Sequence, residues 1–275
     1  MDRVGSLKRL STLLKKAPQV GAFFIALFFL PLAAAGYCPT PTGLTPVVVK
    51  RVVDGDTLHL RDGRKVRFIG INTPELGRSP QPFALAAQQR LAAWVKASDQ
   101  RVMLEMGRKP RDSYGRTLAH VYDVNGANLE AQLLAEGLGF AVAVAPDLKL
   151  RDCHQAAERA ARSAGLGVWG RSPVQASRTL RSGGFAVVSG RAGKVSRNRG
   201  GVWINMPGSL VLRVKADQLK YFSAMNLMSL EGRHIEARGW VVDRGASSGR
   251  PGESRWLLPL TDSGMLELNP PVPAS

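Results

Sequence analysis

The chain has 275 residues and a formal net charge of +17, because 38 Lys and Arg residues outnumber 21 Asp and Glu residues. This length allows one or two domains with their own cores. The basic excess predicts a polyanionic partner, although a merely soluble basic protein would fit the charge as well. Four widely separated histidines and the lack of a C-x-x-C motif argue against a zinc site.

Residues 1–35 predict a signal peptide. Residues 2–16 carry five basic side chains and one acid, an apolar run follows to Ala35, and Ala33-Ala34-Ala35 offers a cleavage site before Gly36. An uncleaved signal anchor is the alternative, although the run is shorter than the roughly 20 residues of a spanning helix. We therefore expect export to the periplasm or the exterior, or else a membrane tether. Without this leader the net charge is still +13.

Both cysteines, Cys38 and Cys153, follow the leader. Two cysteines in an exported chain favour one disulfide, with a pair of free thiols as the alternative. A lipoprotein is disfavoured because Tyr37 precedes Cys38, where a lipobox requires a small residue.

The stretch Val47–Glu75 predicts paired strands with polar residues at their ends. It reads VVVKRVVDGDTLHLRDGRKVRFIGINTPE, and Asp62-Gly63 favours a tight hairpin between strands at Thr57–Arg61 and Arg64–Ile69. The polar residues that this pairing gathers are Asp54, Asp56, Arg67 and the turn Asn72–Glu75. Such a set predicts a site for a hard cation and a phosphate.

Residues 36–170 are predicted to form a β-rich α+β domain. The further predicted elements are a helix at Pro82–Ala97, a strand at Arg101–Met106, a basic loop at Gly107–Ser113, a strand at Arg116–Asp123, and helices at Leu129–Glu136 and Arg151–Ser163. Five strands with three helices fit an OB-type five-stranded barrel, whose face commonly binds nucleic acid.

Five motifs, in this order, resemble the staphylococcal nuclease-like (thermonuclease) family. They are VDGDT at Val53–Thr57, RFIGINTPE at Arg67–Glu75, DSYGR at Asp112–Arg116, EGL at Glu136–Leu138 and GVW at Gly167–Trp169. The resemblance covers roughly half of the chain. It implies an OB-type barrel with three helices and calcium-dependent hydrolysis of phosphodiester bonds in DNA or RNA.

For the metal, the resemblance implies one Ca²⁺ ion bound by Asp56, Asn72 and Thr73. The ligands would be a carboxylate, an amide oxygen and a backbone carbonyl, which are the oxygen donors that calcium takes. Asn72 stands where the family often has a second aspartate. The site therefore carries one negative charge less, and another divalent ion can compete with calcium.

For catalysis, the resemblance makes Glu75 the general base and Arg67 and Arg116 the phosphate-clamping arginines. Guanidinium groups can grip phosphate oxygens with two parallel hydrogen bonds each. Tyr114 and Arg111 are predicted substrate contacts, although the charges around Arg111 are most simply a solvated face.

One segment departs from the family pattern. Val142, Ala143 and Val144 occupy the place where the staphylococcal enzyme has tyrosines against the terminal nucleotide. Contacts to the bases must therefore come from elsewhere in this chain.

Beyond a linker at 171–183, residues 184–269 predict a second small OB-like barrel, followed by a tail at 270–275. Its predicted strands are Phe185–Val195, Val202–Met206, Leu210–Lys215, His234–Val242 and Trp256–Leu260, and Ala216–Leu230 is predicted to be partly helical. Gly190 and Gly193 suggest a bulge or tight coil in the first strand. Residues 171–275 carry a net charge of +8, against +5 for 36–170. This region lacks a second set of acids and arginines, so we expect it either to bind nucleic acid or only to dock on the first domain.

The sequence thus predicts an exported, monomeric, metal-dependent nuclease acting on DNA, RNA or both. The alternative is a protein on the same fold that binds nucleic acid or another polyanion without cleaving it. The presence of Asp56, Arg67, Glu75 and Arg116 together favours the enzyme.

Overall fold

The computed structural model describes residues 37–245 and 254–268. The predicted signal peptide and the predicted tail at 270–275 lie outside these residues. Residues 36–275 form a compact unit distinct from residues 1–35, and the description below concerns this unit. In the described part of the chain, none of the helices combines the length and the apolar character needed to cross a bilayer.

The first half of the unit alternates short strands with three α-helices. Its elements are β1 (Pro46–Val52), β2 (Thr57–Leu60), β3 (Lys65–Phe68), β4 (Ile71–Asn72), α1 (Ala84–Ala97), β5 (Arg101–Arg111), β6 (Thr117–Tyr122), α2 (Leu129–Ala135), β7 (Phe140–Ala141) and α3 (Arg151–Ser163).

The second half is built from strands and short 3-10 helices. The strands are β8 (Val174–Ala176), β9 (Gly184–Arg191), β10 (Val195–Asn198), β11 (Gly201–Met206), β12 (Leu210–Lys215), β13 (His234–Asp243), β14 (Trp256–Leu260) and β15 (Leu266–Leu268). The 3-10 helices are Gly167–Arg171, Ser177–Thr179, Ala216–Phe222, Leu227–Leu230 and Ser263–Met265.

The first barrel closes in the strand order β1-β2-β3-β6-β5. Strand β1 closes it by pairing with β5 through Pro46–Val48 and with β2 through Val49–Val52. Strands β3 and β6 are parallel, whereas β1, β2 and β5 pair with antiparallel neighbours. The predicted OB-type barrel is confirmed.

The three predicted helices pack around this barrel because each has one apolar face. In α1, Ala84, Ala87, Leu91 and Val95 are buried at intervals of three or four residues, and most of them join the barrel core. Helix α3 is tied to the start of the described chain by a disulfide between Cys38 and Cys153. This bond agrees with the prediction.

Two local predictions differ from the structure. The predicted basic loop at Gly107–Ser113 is strand up to Arg111, because β5 continues past Met106 with an irregularity in its pairing to β6. The predicted linker at 171–183 contains β8, which pairs in parallel with β9. Propensity alone did not indicate either extension, since both depend on an available partner strand.

The second barrel repeats the strand order of the first. Its sheet runs β10-β11-β12-β14-β13-β9-β8, with β12 and β14 parallel. The predicted strand Phe185–Val195 is two strands, because the backbone changes partners between them. Ala192 bonds to Gly232 and Arg233 beside β13, whereas Gly193 and Lys194 bond to Asn205 on β11. Strands β9 and β10 thus act as one bent strand that links both sides of the sheet.

The two barrels meet across buried ion pairs between α3 and β13. The guanidinium of Arg238 donates to Glu158 at 2.5 Å and to Glu236 at 3.0 Å. Arg162 donates to both carboxylate oxygens of Glu236, at 2.9 and 2.7 Å. The second barrel therefore docks on the helical side of the first. The charged side chains at the centre of this contact are paired and largely buried.

Candidate active site

The turn between β1 and β2 fixes the position of Asp56. The Asp54 carboxylate accepts a hydrogen bond from the Asp56 backbone N–H at 3.0 Å, as in an Asx turn. Gly55 is buried between them, and a Cβ there would lie 2.7 Å from both Thr73 Cγ2 and Ala87 Cβ. The glycine therefore lets this turn pack against α1 and the segment after β4.

The Asp56 side chain is buried and its oxygens are paired. Oδ2 accepts from the backbone N–H of Thr73 at 2.7 Å and from its hydroxyl at 3.0 Å. Oδ1 lies 3.1 Å from Nε of Arg67 and accepts from the Thr57 hydroxyl at 3.2 Å. These contacts offset the cost of removing a carboxylate from water.

Arg67 reaches the same point from β3. Its Nη1 donates to the backbone oxygens of Phe68 at 2.6 Å and Ile71 at 2.9 Å, and its Nη2 donates to Asn72 Oδ1 at 3.1 Å. The guanidinium is therefore held in place by backbone carbonyls, and it joins Asp56 to Asn72.

Three of the predicted ligand residues converge here. Asp56 Oδ1 and Asn72 Oδ1 face one guanidinium, and the Asn72 amide nitrogen lies 3.5 Å from the backbone oxygen of Thr73. A carboxylate, an amide oxygen and a carbonyl are hard donors that suit Ca²⁺ or Mg²⁺ better than a soft metal. The donor set fits a hard divalent cation, with one carboxylate where stronger sites have two or more.

The remaining predicted catalytic residues line a cleft of about 520 Å³ next to this cluster. Arg67, Asn72, Glu75, Tyr114 and Arg116 all contribute to its walls. A phosphate in this cleft would therefore face both arginines and Glu75.

Arg116 is oriented by the turn that precedes β6. Its Nε donates to Asp112 Oδ2 at 2.7 Å, and its guanidinium carbon lies 5.5 Å from the centre of the Tyr114 ring. Tyr114 is 83% exposed. Arg111 is exposed at the end of β5, and Lys109 on the same strand lines the cleft.

Glu75 lines the cleft. The pKa of its carboxyl group depends on burial and on three charged neighbours, Asp56, Arg67 and Arg116. Its backbone N–H donates to Gln81 Oε1 at 2.8 Å, which anchors the loop. Partial burial raises the pKa of Glu75 above its ordinary value, and the negative charge of Asp56 raises it further. Arg67 and Arg116 act in the opposite direction on this pKa.

Comparison with known proteins assigns the first barrel and its helices to a family. The model of the staphylococcal nuclease homologue family matches residues 65–171. The thermonuclease of Staphylococcus intermedius is 38% identical over 130 residues, which are 45% of this chain and 76% of that protein. The chain belongs to the staphylococcal nuclease homologue family.

Two endonucleases of Bacillus subtilis (strain 168) also match this chain, over alignments of similar length. Endonuclease YncB is 34% identical over 136 residues, covering 47% of this chain and 64% of that protein. Endonuclease YhcR is 32% identical over 146 residues, covering 48% of this chain and 12% of that protein. The second barrel begins after the stretch that the family model matches.

The cleft also includes a residue that the sequence motifs did not indicate. Trp240, on β13 of the second barrel, lines the same cleft as Arg67, Glu75 and Arg116. Alternation along β13 could have shown that Trp240 points away from the core of its own barrel. Its proximity to the cleft depends on how the barrels dock, which no local pattern reveals.

The fold also gathers buried polar residues that are distant in sequence. Ligand atoms of His120, Glu130 and His154 lie within 4.8 Å of one another, although the two histidines are widely separated in the sequence. Both oxygens of Glu130 already accept hydrogen bonds, from the Val121 backbone and the Asn128 side chain. His154 also contacts Asn128, at 3.0 Å. These hydrogen bonds form a buried structural network that joins β6, α2 and α3.

Proposed function

We propose that this chain is a metal-dependent nuclease that hydrolyses phosphodiester bonds in DNA, RNA or both. One observation carries the proposal: Arg67, Asn72, Glu75 and Arg116 line one cleft, and Arg67 joins Asp56 to Asn72 at its wall. The nuclease names of the relatives support the same reaction class.

In this proposal the two arginines bind the non-bridging oxygens of the scissile phosphate. Arg116 has both terminal nitrogens available, because Asp112 takes only its Nε. Arg67 is held rigidly by carbonyls, so its position changes little when substrate enters. Preorganised donors of this kind stabilise the charge that builds in the pentacoordinate transition state, where each is worth about 3 kcal/mol.

Glu75 orients the attacking water and accepts its proton. Partial burial and the charge of Asp56 raise the pKa of Glu75, which makes its carboxylate a stronger base than a free one. The new bond forms between the water oxygen and phosphorus, and the bond between phosphorus and the leaving sugar oxygen breaks.

Asp56, Asn72 and Thr73 would hold one divalent cation, Ca²⁺ or another hard ion. When bound, such an ion offsets the repulsion between an anionic phosphodiester and an attacking hydroxide. The single carboxylate among these three ligands supports moderate affinity and tolerance of several ions.

We further propose that the protein works outside the reducing cytoplasm, in the periplasm or after secretion. The disulfide between Cys38 and Cys153 supports this location, since such bonds persist in oxidising compartments.

The test uses the purified full chain with plasmid DNA, single-stranded DNA and RNA, over a panel of divalent ions and with a chelator. We expect cleavage with calcium or a competing ion and none with the chelator. Glu75→Gln should remove most of the activity. Glu136→Gln, which alters a carboxylate paired with Arg90 outside the cleft, should leave it unchanged.

A wild-type chain that binds these substrates but cleaves none of them under any ion would favour the non-catalytic binding function. Full activity in Glu75→Gln would instead remove the assignment of the base.

A further inference from the structure

Strand β13 presents a row of outward side chains toward the first barrel. Ile235, Ala237 and Val241 are buried in the core of the second barrel. Between them, Glu236 and Arg238 point outward and form the ion pairs with α3. Trp240 is the next outward residue, just beyond that buried network, so its backbone is fixed by the docking of the two barrels.

Trp240 ends a short row of aromatic rings that crosses from one barrel to the other. Phe140 on β7 lies 5.3 Å from Phe185, and Phe185 lies 5.4 Å from Trp240, measured between ring centres. Phe185 and Trp240 are also direct cross-strand partners. Trp240 remains 41% exposed, so part of its indole surface is open at the cleft.

A second cavity of about 530 Å³ continues from the active-site cleft. Asn72, Glu75 and Trp240 line both cavities, so the two are contiguous at the mouth of the candidate active site. Four aromatic residues contribute to the walls of the second cavity: Phe83, Phe140, Phe185 and Trp240. Arg171 adds a cation, with its guanidinium carbon 5.7 Å from the centre of the Phe83 ring.

On the opposite side of the active-site cleft, near Ala145, the described residues of the first barrel supply no aromatic ring comparable to Trp240. The contribution of the first barrel there, within the described residues, is aliphatic and comes from Val142 and Val144. Tyr114 lies at the Arg116 end of the same cleft. Beside Glu75, the second barrel supplies the rings of Phe185 and Trp240, and the first half of the unit supplies those of Phe83 and Phe140.

We propose that Trp240 and Phe185 form a nucleobase-stacking subsite for the nucleotide next to the scissile phosphate. The proposal rests on the proposed function, because it uses the phosphate position between Arg67 and Arg116. It extends that function by making the second barrel part of the substrate site.

The chemistry of the groove matches a single nucleic-acid strand. Such a strand alternates anionic phosphates with flat apolar bases, and this groove contains both arginines and aromatic rings. Stacking on an aromatic ring is sequence-tolerant, since every base has a π-face. A base must leave its duplex neighbours to stack on Trp240, so the subsite favours unpaired strands or frayed ends over intact duplex.

The experiment compares full-length wild type with Trp240→Ala, Trp240→Phe and Trp203→Ala. Trp203 is the matched control, because it lies on β11 of the same barrel and stacks on Arg213 at 4.6 Å, outside both cavities. Binding of a short fluorescent oligothymidylate is measured by anisotropy with a chelator present. The KM and kcat for the same strand and for a duplex are then measured with calcium.

We expect Trp240→Ala to bind the single strand roughly 5- to 150-fold more weakly, as loss of one stacked base predicts. Trp240→Phe should retain most of the affinity and Trp203→Ala all of it. In cleavage, Trp240→Ala should raise KM for the single strand more than for the duplex. A thermal melt confirms that each variant is folded.

The subsite is overturned if folded Trp240→Ala binds and cleaves like wild type, or if wild type does not bind the single strand. A greater loss in Trp203→Ala would also overturn it, because the strand would then follow the other face of the barrel. Failure of the proposed function looks different: wild type cleaves nothing, while the binding arm still decides whether Trp240 stacks a base.

Discussion

The two barrels share one strand order and carry different chemistry on it. In each barrel the third strand bears an arginine opposite the second strand: Arg67 faces Thr57, and Arg213 faces Trp203. In the first barrel that arginine binds Asp56 and Asn72. In the second, Arg213 lies over the Trp203 ring.

The difference arises in the loops. The turn before β2 contributes Asp54 and Asp56, whereas the turn before β11 is Arg199-Gly200. The sheet supplies the frame in both cases, and a few turn residues decide whether an arginine meets acids or an aromatic ring. The comparison teaches that a barrel topology alone carries no prediction of catalysis.

We expect the largest effect from disrupting the contact between the two barrels. Arg238→Met should destabilise the protein by about 3–5 kcal/mol, because Glu158 would remain buried without its guanidinium partner, while Glu236 would keep only Arg162. Urea unfolding of the full chain measures this loss. Arg255→Ala, which breaks an exposed pair with Asp243, is the control and should change stability little. Equal stability of both variants would mean that the buried network contributes nothing.

Replacing the third-strand arginine in each barrel sharpens the comparison. Arg67→Lys should lower kcat by about 10²–10³-fold, because lysine keeps the charge but loses the forked hydrogen bonds. Arg213→Lys should leave kcat unchanged, since that arginine serves no phosphate at the active site. Steady-state cleavage of single-stranded DNA measures both. Comparable losses in the two variants would contradict a division of roles between the barrels.

We expect acidic pH to reduce the stability of the first barrel and its helices rather than that of the second barrel. Burial, together with the nearby His120, lowers the pKa of His154 from an ordinary value of 6.5 to about 3. Its charged and polar surroundings are His120, Glu130 and Asn128. A folded-state pKa below the unfolded value means that the unfolded chain binds more protons. The stability contributed by neutral His154 is therefore present above pH 6.5 and falls as the pH drops toward 3.

Between pH 7 and pH 5 the loss from this residue should be about 2 kcal/mol. Thermal melts of wild type and His154→Gln across that range measure it, and the variant should show the flatter profile. Parallel pH profiles would show that His154 does not contribute. The second barrel has one histidine in its described residues, His234, which is exposed and should have no such effect.

The smallest expected effect is a change in metal affinity. Asn72→Asp adds a carboxylate beside Asp56, so calcium should bind about tenfold more tightly. Isothermal titration with calcium measures the change. Asn205→Asp, on β11 of the second barrel, is a control with the same added charge. Tighter binding in both variants would point to net charge rather than to a ligand at position 72.

Much of the first barrel was predictable because its signals are local. The Asp62-Gly63 turn, the DGD turn at Asp54–Asp56 and the apolar face of α1 each lie within a few residues of the element that they define. The motifs also named residues that the fold brings to one cleft, because these motifs follow the strand ends in order. The assembly of Asp56 with Thr73 also follows, because only three short strands and their turns separate them.

What the sequence could not provide depends on contacts between distant segments. The partner change at Ala192 and Gly193 requires both β11 and β13 to be present, so glycine spacing suggested a bend without locating it. His120 and His154 meet through packing of α3 beneath β6, 34 positions apart in the chain. Trp240 reaches the cleft only because ion pairs position one barrel on the other.

The pairing of β8 with β9 determines where the molecule can be divided. Val174–Ala176 supplies the strand that covers one edge of β9. A fragment starting at Gly184 would expose that row of backbone amides and carbonyls to other copies of itself, a common origin of aggregation. Dissection of the second barrel for separate expression should therefore begin before Val174, at the end of the preceding 3-10 helix.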